Sequence, residues 1–467
     1  MKQQIFHVGL VCLMVINPYF LSAQQTSAQA PAQDSVMLDL DAIYRLADEE
    51  SRVIRVSEAS LRAASENVKQ AKNALTPHLN VSISGSYTGD ATLMSRSFST
   101  SGQTEVIYAG LGPQYINNGQ QPAPHWGNMF SFEASQVIYA GGAILAGIEM
   151  TKIGERIAEL DVAKSRQEVR FMLTGYYLDL VKLQNQIQVI DRHIELTNKV
   201  LDQMRAREAA GVVLRNDLTR YELQLKQLEL TRIRFLDAQS IIHHQLTTAL
   251  HRDGQTIVPD TLSVNAALAQ LEQAASEQLW QSRAAGSHLG IQQAEAAQQL
   301  SEQQVKMTRS ASIPHITLVA KDELFGPYTS DLIPVNANVN AWFVGIGLQY
   351  DLGSLWHNHR SIRKAKTERE AAQERVELAR EGVNNGVHAA YTHFLTAFTE
   401  VETQEKQVQL ADENYALVEK RYNNELALLT DLLDASSMKL QADMSLVNAR
   451  VGLLYQFYQL KYTTHTL

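Results

Sequence analysis

The sequence predicts a mostly α-helical chain with a membrane β domain, and three observations lead to this fold class. First, residues 169–235 recur 214 positions later (383 − 169), so that Val169 returns as Val383 and Arg207 returns as Arg421. Second, each copy of this internal two-fold repeat carries a sustained heptad pattern, which is typical of very long helices. Third, each copy carries two short runs in which apolar and polar residues alternate, as they do in strands with one apolar face.

The N-terminus is predicted to be a secretory signal peptide over 1–23, followed by a flexible leader over 24–36. Lys2 precedes a mostly apolar stretch, and Ala23 is a small residue ahead of a polar segment, as at a cleavage site; the alternative is a buried first helix. Cys12, the only cysteine, lies inside the apolar stretch, which disfavours lipidation. The mature chain then has no disulfide, and its export predicts a location in the cell envelope.

The composition argues against several classes of function. A formal net charge of −9 over 467 residues disfavours nucleic acid as a partner. No mature segment has eighteen consecutive apolar residues, so no transmembrane helix is expected. We find no HExxH, GxSxG or phosphate-loop motif, and the adjacent His243 and His244 would point in different directions on a helix. The sequence therefore predicts no enzyme, no cofactor and no metal site.

Repeat 1 is predicted to contain a helix, a strand pair and a long helical hairpin. The first helix breaks near residue 50 and stops before Pro77, because proline disfavours helix at and before its own position. A polar loop of roughly forty residues separates the two strands. The predicted boundaries are 37–250 for the repeat, 38–74 for the helix, about 78–88 and 129–139 for the strands, and about 209–217 for the hairpin tip.

Repeat 2 follows a linker and has the same order of elements. Its last strand shows the clearest alternation, with large apolar residues on one face and small or polar residues on the other. The predicted boundaries are 251–262 for the linker, 263–467 for the repeat, 264–308 for its first helix, about 314–324 and 341–351 for the strands, and about 423–431 for the hairpin tip. The residues predicted to face lipid are Trp342, Val344, Ile346, Leu348 and Tyr350.

These patterns indicate an assembly that spans a compartment. A helix of roughly 65 residues is on the order of 100 Å long, far more than a compact domain needs. Four strands per chain cannot close a membrane barrel, and open strand edges in lipid would leave backbone groups unpaired. Several copies must therefore share one barrel, and three copies would supply twelve strands. A soluble β-sandwich flanked by helices is the alternative, although four short strands could not bury seams marked by residues such as Leu173 and Phe394.

Particular residues resemble those of the outer-membrane efflux family, the TolC-like channels, over essentially the whole mature chain. The segment 422–435, from Tyr422 through Asp431 and Asp434 to Ala435, is similar to the second periplasmic hairpin of that family. Gly211 and Asp217 bound a stretch that is similar to the first hairpin turn. Pro77 and the strand end at 139–142 also match the family's habits.

This resemblance implies a homotrimer that forms a twelve-stranded outer-membrane β-barrel continued by an α-helical barrel through the periplasm. Such channels dock onto an inner-membrane pump through a periplasmic adaptor, the membrane fusion protein. The family's aspartates imply that Asp431 and Asp434 ring the periplasmic mouth, and that Asp217 and Tyr422 help to hold it closed. The alternative for Asp431 and for Asp217 is a helix cap, and for Tyr422 it is ordinary helix packing.

Two departures from the family pattern affect how the mouth is locked. Glu425 stands where the family has a glycine, and Ala427 stands where an arginine often bonds across the closed mouth. Arg215 is a candidate substitute for that arginine.

The sequence thus predicts a passive channel of a tripartite efflux or type I secretion system in the outer membrane. The alternative is a periplasmic adaptor or a structural coiled-coil protein without a pore. The transported substrate, the pump and the adaptor do not follow from the sequence.

Overall fold

The computed structural model describes residues 35–87, 96–100, 103–107, 126–211, 213–252, 255–259, 271, 276–326, 328–329, 334–335 and 338–467. The predicted signal peptide lies outside these residues, as does the leader up to residue 34. The helices are α1 Leu40–Glu50, α2 Arg52–Lys72, α3 Ala143–Ala209, α4 Arg215–Ala249, α5 Glu277–Ser287, α6 Leu289–Ser310, α7 Ser354–Asn423 and α8 Leu429–Thr463. The strands are β1 Ser35–Leu38, β2 His78–Tyr87, β3 Arg96–Thr100, β4 Gln103–Ile107, β5 Trp126–Ala140, β6 Thr256–Pro259, β7 His315–Gly326, β8 Tyr328–Thr329, β9 Pro334–Val335 and β10 Val339–Gln349.

The prediction of a mostly helical chain with four principal strands is confirmed. Those strands form one antiparallel sheet in the order β10-β7-β5-β2, so the strand pairs of the two repeats join between β5 and β7. A β-bulge between Val137 and Tyr139 shifts the register at the end of β5 that lies next to α3. Within the described part of the chain, β2 and β10 are the sheet's edges and each has only one neighbouring strand.

Two long helices, α3 with 67 residues and α7 with 70, connect the sheet to the hairpin tips. At about 1.5 Å per residue each is roughly 100 Å long. Next to the sheet the helices pack in the order α2-α3-α6-α7, and towards the tips they pack in the order α4-α3-α8-α7. Both layers therefore form a row of four helices, and among the described residues the outer side of each end helix has no helical neighbour.

The two repeats contribute residues to the same hydrophobic cores. A central core joins α1, α3, α5, α7 and α8, and Leu173 and Phe394, both predicted members of the heptad seams, are fully buried in it. A second cluster near the hairpin tips, the tip core, is built from all four hairpin helices and contains the buried Tyr221 and Leu432. Each hairpin is thus held against the other over most of its length.

Four local features differ from the sequence expectations. The predicted leader includes the first residues of β1, and the predicted linker includes β6, which pairs with β1 in parallel. A β3-β4 hairpin lies within the predicted polar loop. The predicted helix 264–308 is interrupted at His288, whose backbone is extended (ψ 113°) and whose side chain accepts the Gly290 N–H to cap α6.

Candidate functional site

The outer face of the sheet is apolar and exposed. Trp342, Val344, Ile346 and Leu348 point to this face, and between 65% and 75% of each is accessible to solvent in the single chain. On the neighbouring strand β7, Ala320 lies opposite Val344, and Leu318 lies opposite Ile346. A sheet face of this kind is suited to lipid rather than to water. Tyr350, the fifth residue of the predicted set, lies one position beyond the end of β10 and is half-buried.

The opposite face of the sheet carries mostly polar and small residues, as the alternation predicts. Glu133, Lys321 and Glu323 share it, and the Lys321 Nζ to Glu323 Oε1 distance is 2.5 Å. Residues on both faces depart from the alternation. Asp322 lies on the apolar face, directly opposite Trp342, and Val319, Phe325 and Phe343 lie on the polar face.

At the other end of the molecule, the two hairpin turns are built on the same backbone geometry. Gly211 follows α3 with φ +78°, and Glu425, which is its counterpart at the 214-residue repeat, follows α7 with φ +60°. Glycine adopts this left-handed conformation freely, whereas another residue pays about 1–2 kcal/mol. The departure at Glu425 noted in the sequence therefore leaves the turn geometry intact at an energetic cost. Beyond the turns, Leu214, Leu426 and Leu428 are each about 70% exposed.

Asp431 and Asp434 lie together on exposed positions of the first turns of α8. Both line the same groove between α7 and α8. Asp431 also caps its helix, since its Oδ2 accepts the Leu428 N–H at 3.0 Å. The capping alternative is thus present in the structure, and it leaves Oδ1 of Asp431 for another role.

Asp217, the repeat counterpart of Asp431, lies half-buried in the first turn of α4 and forms no side-chain cap bond. Burial raises the pKa of the Tyr422 phenol. The Arg207 guanidinium opposes this increase, and the nearby Asp217 carboxylate adds to it. Tyr422 borders the tip core, where burial also raises the pKa of Tyr221 and of Tyr415. The structure therefore brings the predicted pair Asp217 and Tyr422 to one place, and Tyr422 also packs as the alternative reading expected.

Two arginines lie beside this region, and only one of them connects the hairpins. Arg215 is 80% exposed and its Nη1 lies 3.4 Å from Glu208 Oε1, within its own hairpin. Its role as a substitute lock stays a prediction. Arg207, at the end of α3, instead reaches the end of α7: its Nη2 lies 3.3 Å from Asn423 Oδ1, and its guanidinium carbon lies 5.6 Å from the centre of the Tyr422 ring.

Sequence reasoning did not single out Arg207 as a functional residue. Its repetition as Arg421 was visible in the sequence, but repetition alone does not say which copy makes a contact. Among the described residues, the Arg421 side chain has no hydrogen-bond or ion-pair partner. The two equivalent arginines therefore make different contacts.

Taken with the fold, these features define a class of envelope protein in which a lipid-facing sheet is joined to long helices that end in paired hairpins. Among the described residues, no helix has the length and apolarity that crossing a bilayer requires. The profile of the outer membrane efflux protein family matches residues 43–251 and 280–461. The chain belongs to this family and is therefore an outer-membrane protein that extends into the periplasm.

Solved structures show the same fold at low sequence identity. The outer membrane protein VceC of Vibrio cholerae is 15% identical with a TM-score of 0.68, covering 91% of this chain and 95% of that one. The CmeC outer membrane channel of Campylobacter jejuni is 14% identical with a TM-score of 0.68, covering 91% and 85%. The MtrE outer membrane channel of Neisseria gonorrhoeae is 15% identical with a TM-score of 0.66, covering 91% and 88%.

No curated protein matches the sequence significantly. The family and the similar structures are those of channel proteins rather than enzymes.

Proposed function

We propose that three copies of this chain form a passive outer-membrane channel through which a pump and a periplasmic adaptor discharge their substrates. The single observation that carries this proposal is the sheet of four strands. It has an exposed apolar outer face, and within the described part of the chain its two edges have no neighbouring strand. Edges in lipid leave backbone groups unpaired at several kcal/mol each, so β2 of one copy must pair with β10 of the next. Three copies then close a ring of twelve strands.

The outer helices of the row near the tips support the same arrangement. On α4, Leu223 and Leu230 are exposed and seven residues apart, on the side opposite the buried Leu218. On α7, Leu410 and Leu417 are exposed with the same spacing. At about 1.5 Å per residue, Leu417 and Leu223 lie within about 3 Å of the same height above the tips, and so do Leu410 and Leu230. In a closed ring these two leucine pairs face each other between neighbouring subunits, and we call this contact the leucine seam.

Leu417→Asp is expected to disrupt the trimer, because it places three carboxylates in an apolar seam. The fraction of protein that migrates as a trimer in unheated detergent extracts of outer membranes should fall. The double variant Leu223→Lys with Leu417→Asp should recover part of it by pairing opposite charges across the seam. Leu426→Asp, at an exposed hairpin turn outside the seam, is the control and should leave the trimer intact. A Leu417→Asp trimer as heat-stable as the wild type would contradict this interface.

The hairpin tips provide the surface for the adaptor and pump. Leu214, Leu426 and Leu428 are exposed at the far end of the helices from the membrane. Exposed leucines grouped at one end of a long protein are typical of a protein–protein contact. The chemistry of the transported substrate is set by the pump rather than by this passive duct.

The mouth is proposed to carry six carboxylates, Asp431 and Asp434 from each of three subunits. A ring of acids attracts cations and repels anions. The purified wild-type protein should form ion-conducting pores in planar bilayers, and failure to conduct would contradict the channel function itself. Asp431→Asn with Asp434→Asn should lower the cation-to-anion permeability ratio by about three-fold or more, since such fields reach several kT.

Glu425→Gln is the matched control for this measurement. It removes a carboxylate from the same hairpin turn but outside the groove that Asp431 and Asp434 line. It should change the permeability ratio much less. If the double asparagine variant keeps the wild-type ratio while conducting normally, the two aspartates do not border the permeation path.

A further inference from the structure

Arg207 makes a set of contacts that the repeat pattern does not predict. It lies half-buried in the last turn of α3, in hairpin 1 (α3 and α4), and its side chain crosses to the last turn of α7, in hairpin 2 (α7 and α8). Its Nη2 donates towards both oxygens of Asn423, at 3.3 Å to Oδ1 and 3.4 Å to the backbone carbonyl. The same guanidinium stands 5.6 Å from the centre of the Tyr422 ring.

The end of α7 has a backbone carbonyl that requires a hydrogen-bond donor, and Arg207 supplies one. The last carbonyls of a helix lack intrahelical partners. Here the turn itself serves three of them: Lys420 O receives the Asn424 N–H, Arg421 O receives the Leu426 N–H, and Tyr422 O receives the Glu425 N–H. The Asn423 carbonyl is the next in line, and Arg207 is the partner it has within the described chain. A cation at this end of α7 also complements the negative end of the helix dipole.

The chemistry of this contact favours arginine over lysine. A guanidinium can stack on an aromatic ring while its N–H groups remain free to donate in the plane, which an ammonium cannot do. Burial holds the Tyr422 phenol neutral by raising its pKa, so the ring acts as an uncharged platform beside the cation.

We propose that Arg207 is a positioning residue that clasps the two hairpins of one subunit at the periplasmic mouth and so opposes widening of the duct. Hairpin 1 and hairpin 2 end side by side at this point. Any motion that separates their ends must break both the cation–π contact with Tyr422 and the hydrogen bonds to Asn423. The proposal rests on the channel function proposed above.

The experiment measures the open-to-closed ratio of single trimers in planar bilayers for the wild type and for Arg207→Gln. Loss of the clasp should raise that ratio by about 5- to 30-fold, the range that follows from losing one or two kcal/mol. In cells, the same variant should increase sensitivity to a large hydrophilic antibiotic. Arg207→Lys, which keeps the charge but loses the planar fork, should also raise the ratio.

Arg421→Gln is the matched control, because Arg421 is the counterpart of Arg207 in the other repeat and loses the same charge from the same helix position. It should conduct as the wild type does. Tyr422→Leu should mimic Arg207→Gln, and combining the two should add little, as expected for residues of one contact. Trimer abundance and thermal midpoint are measured for each variant, so that a change in opening is separated from a change in folding.

Three results would overturn the inference. If the wild type conducts but Arg207→Gln and Arg421→Gln open equally often, the clasp is absent while the channel function stands. If Arg207→Gln and Tyr422→Leu act additively, they do not belong to one contact. A wild-type protein that forms no pore would remove both the channel and the clasp.

Discussion

Val344→Arg is expected to abolish assembly of the protein in the outer membrane. Val344 lies at the middle of β10, points to the apolar face with Trp342 and Ile346, and is 65% exposed in the single chain. An arginine on the lipid face near the bilayer midplane costs about 2–4 kcal/mol. Three subunits carry the change, so the cost is incurred three times in one barrel. The measurement is the amount of trimer in the outer-membrane fraction.

Gly345→Arg tests whether the face, rather than the residue change, is responsible. Gly345 is the next residue, at nearly the same depth, but points to the other face of the sheet. A side chain has room there, since the nearest heavy atom to a Cβ at this position is 4.0 Å away, in the Phe343 ring. This variant should assemble. If instead Gly345→Arg does not assemble and Val344→Arg does, the two faces of the sheet are assigned the wrong way round. Lipid then does not contact the apolar face.

The elements that could be predicted from sequence are those that repeat a local period. A heptad pattern continued over many turns places its apolar residues on one side of a helix. Seam residues such as Leu173 and Phe394 are therefore predicted to be buried, and the structure buries both. Alternation with period two likewise fixes which side of β10 is apolar. The internal repeat then predicts the order of elements in each copy.

Contacts between distant segments could not be predicted in this way. The parallel pairing of β1 with β6 joins Ser35 to Thr256, and neither four-residue strand has a pattern of its own. The break at His288 has no proline to mark it. Gly286 and Gly290 flank it, but the break depends on a side-chain cap that is visible only in three dimensions. Short elements stabilised by tertiary contacts leave little trace in a sequence.

The candidate site shows the same division. Asp431 and Asp434 are three positions apart in one helix, so their proximity follows from helical geometry alone. The contact of Arg207 with Tyr422 joins helices from different copies, and its existence depends on how the two hairpins pack. The sequence drew attention to Arg215 because it is near Asp217, yet the structure turns its side chain towards Glu208.

Acidification is expected to weaken the junction between α5, α6 and the end of the chain. The His288 and His465 rings meet edge to face with centroids 4.1 Å apart, near Lys164 of α3 and the Tyr462 ring. Burial lowers the pKa of His465 to about 4, and burial also lowers the pKa of His288. Both rings are thus favoured as neutral in the folded protein. Protonation would place a new cation beside Lys164.

The sign of the pH dependence follows from these directions. In the unfolded chain the two histidines bind protons near their ordinary pKa of about 6.5. Stability from the neutral pair is therefore complete above that pH and is lost progressively as the pH falls towards 4. For His465 the pKa shift corresponds to at most about 3 kcal/mol of folding free energy. Because the ring is half-exposed, solvent screening reduces this contribution to about 1–2 kcal/mol.

The thermal midpoint of the purified protein should accordingly fall by several degrees more between pH 7 and pH 4.5 for the wild type than for His465→Phe. Phenylalanine keeps an aromatic edge against His288 but binds no proton, so it removes the titration and retains the contact. His393→Phe, which alters an exposed histidine on α7, should follow the wild type. If the thermal midpoint falls equally in His465→Phe and in the wild type, the acid-labile group lies elsewhere. The substitution is designed to remove only the capacity of that ring to bind a proton.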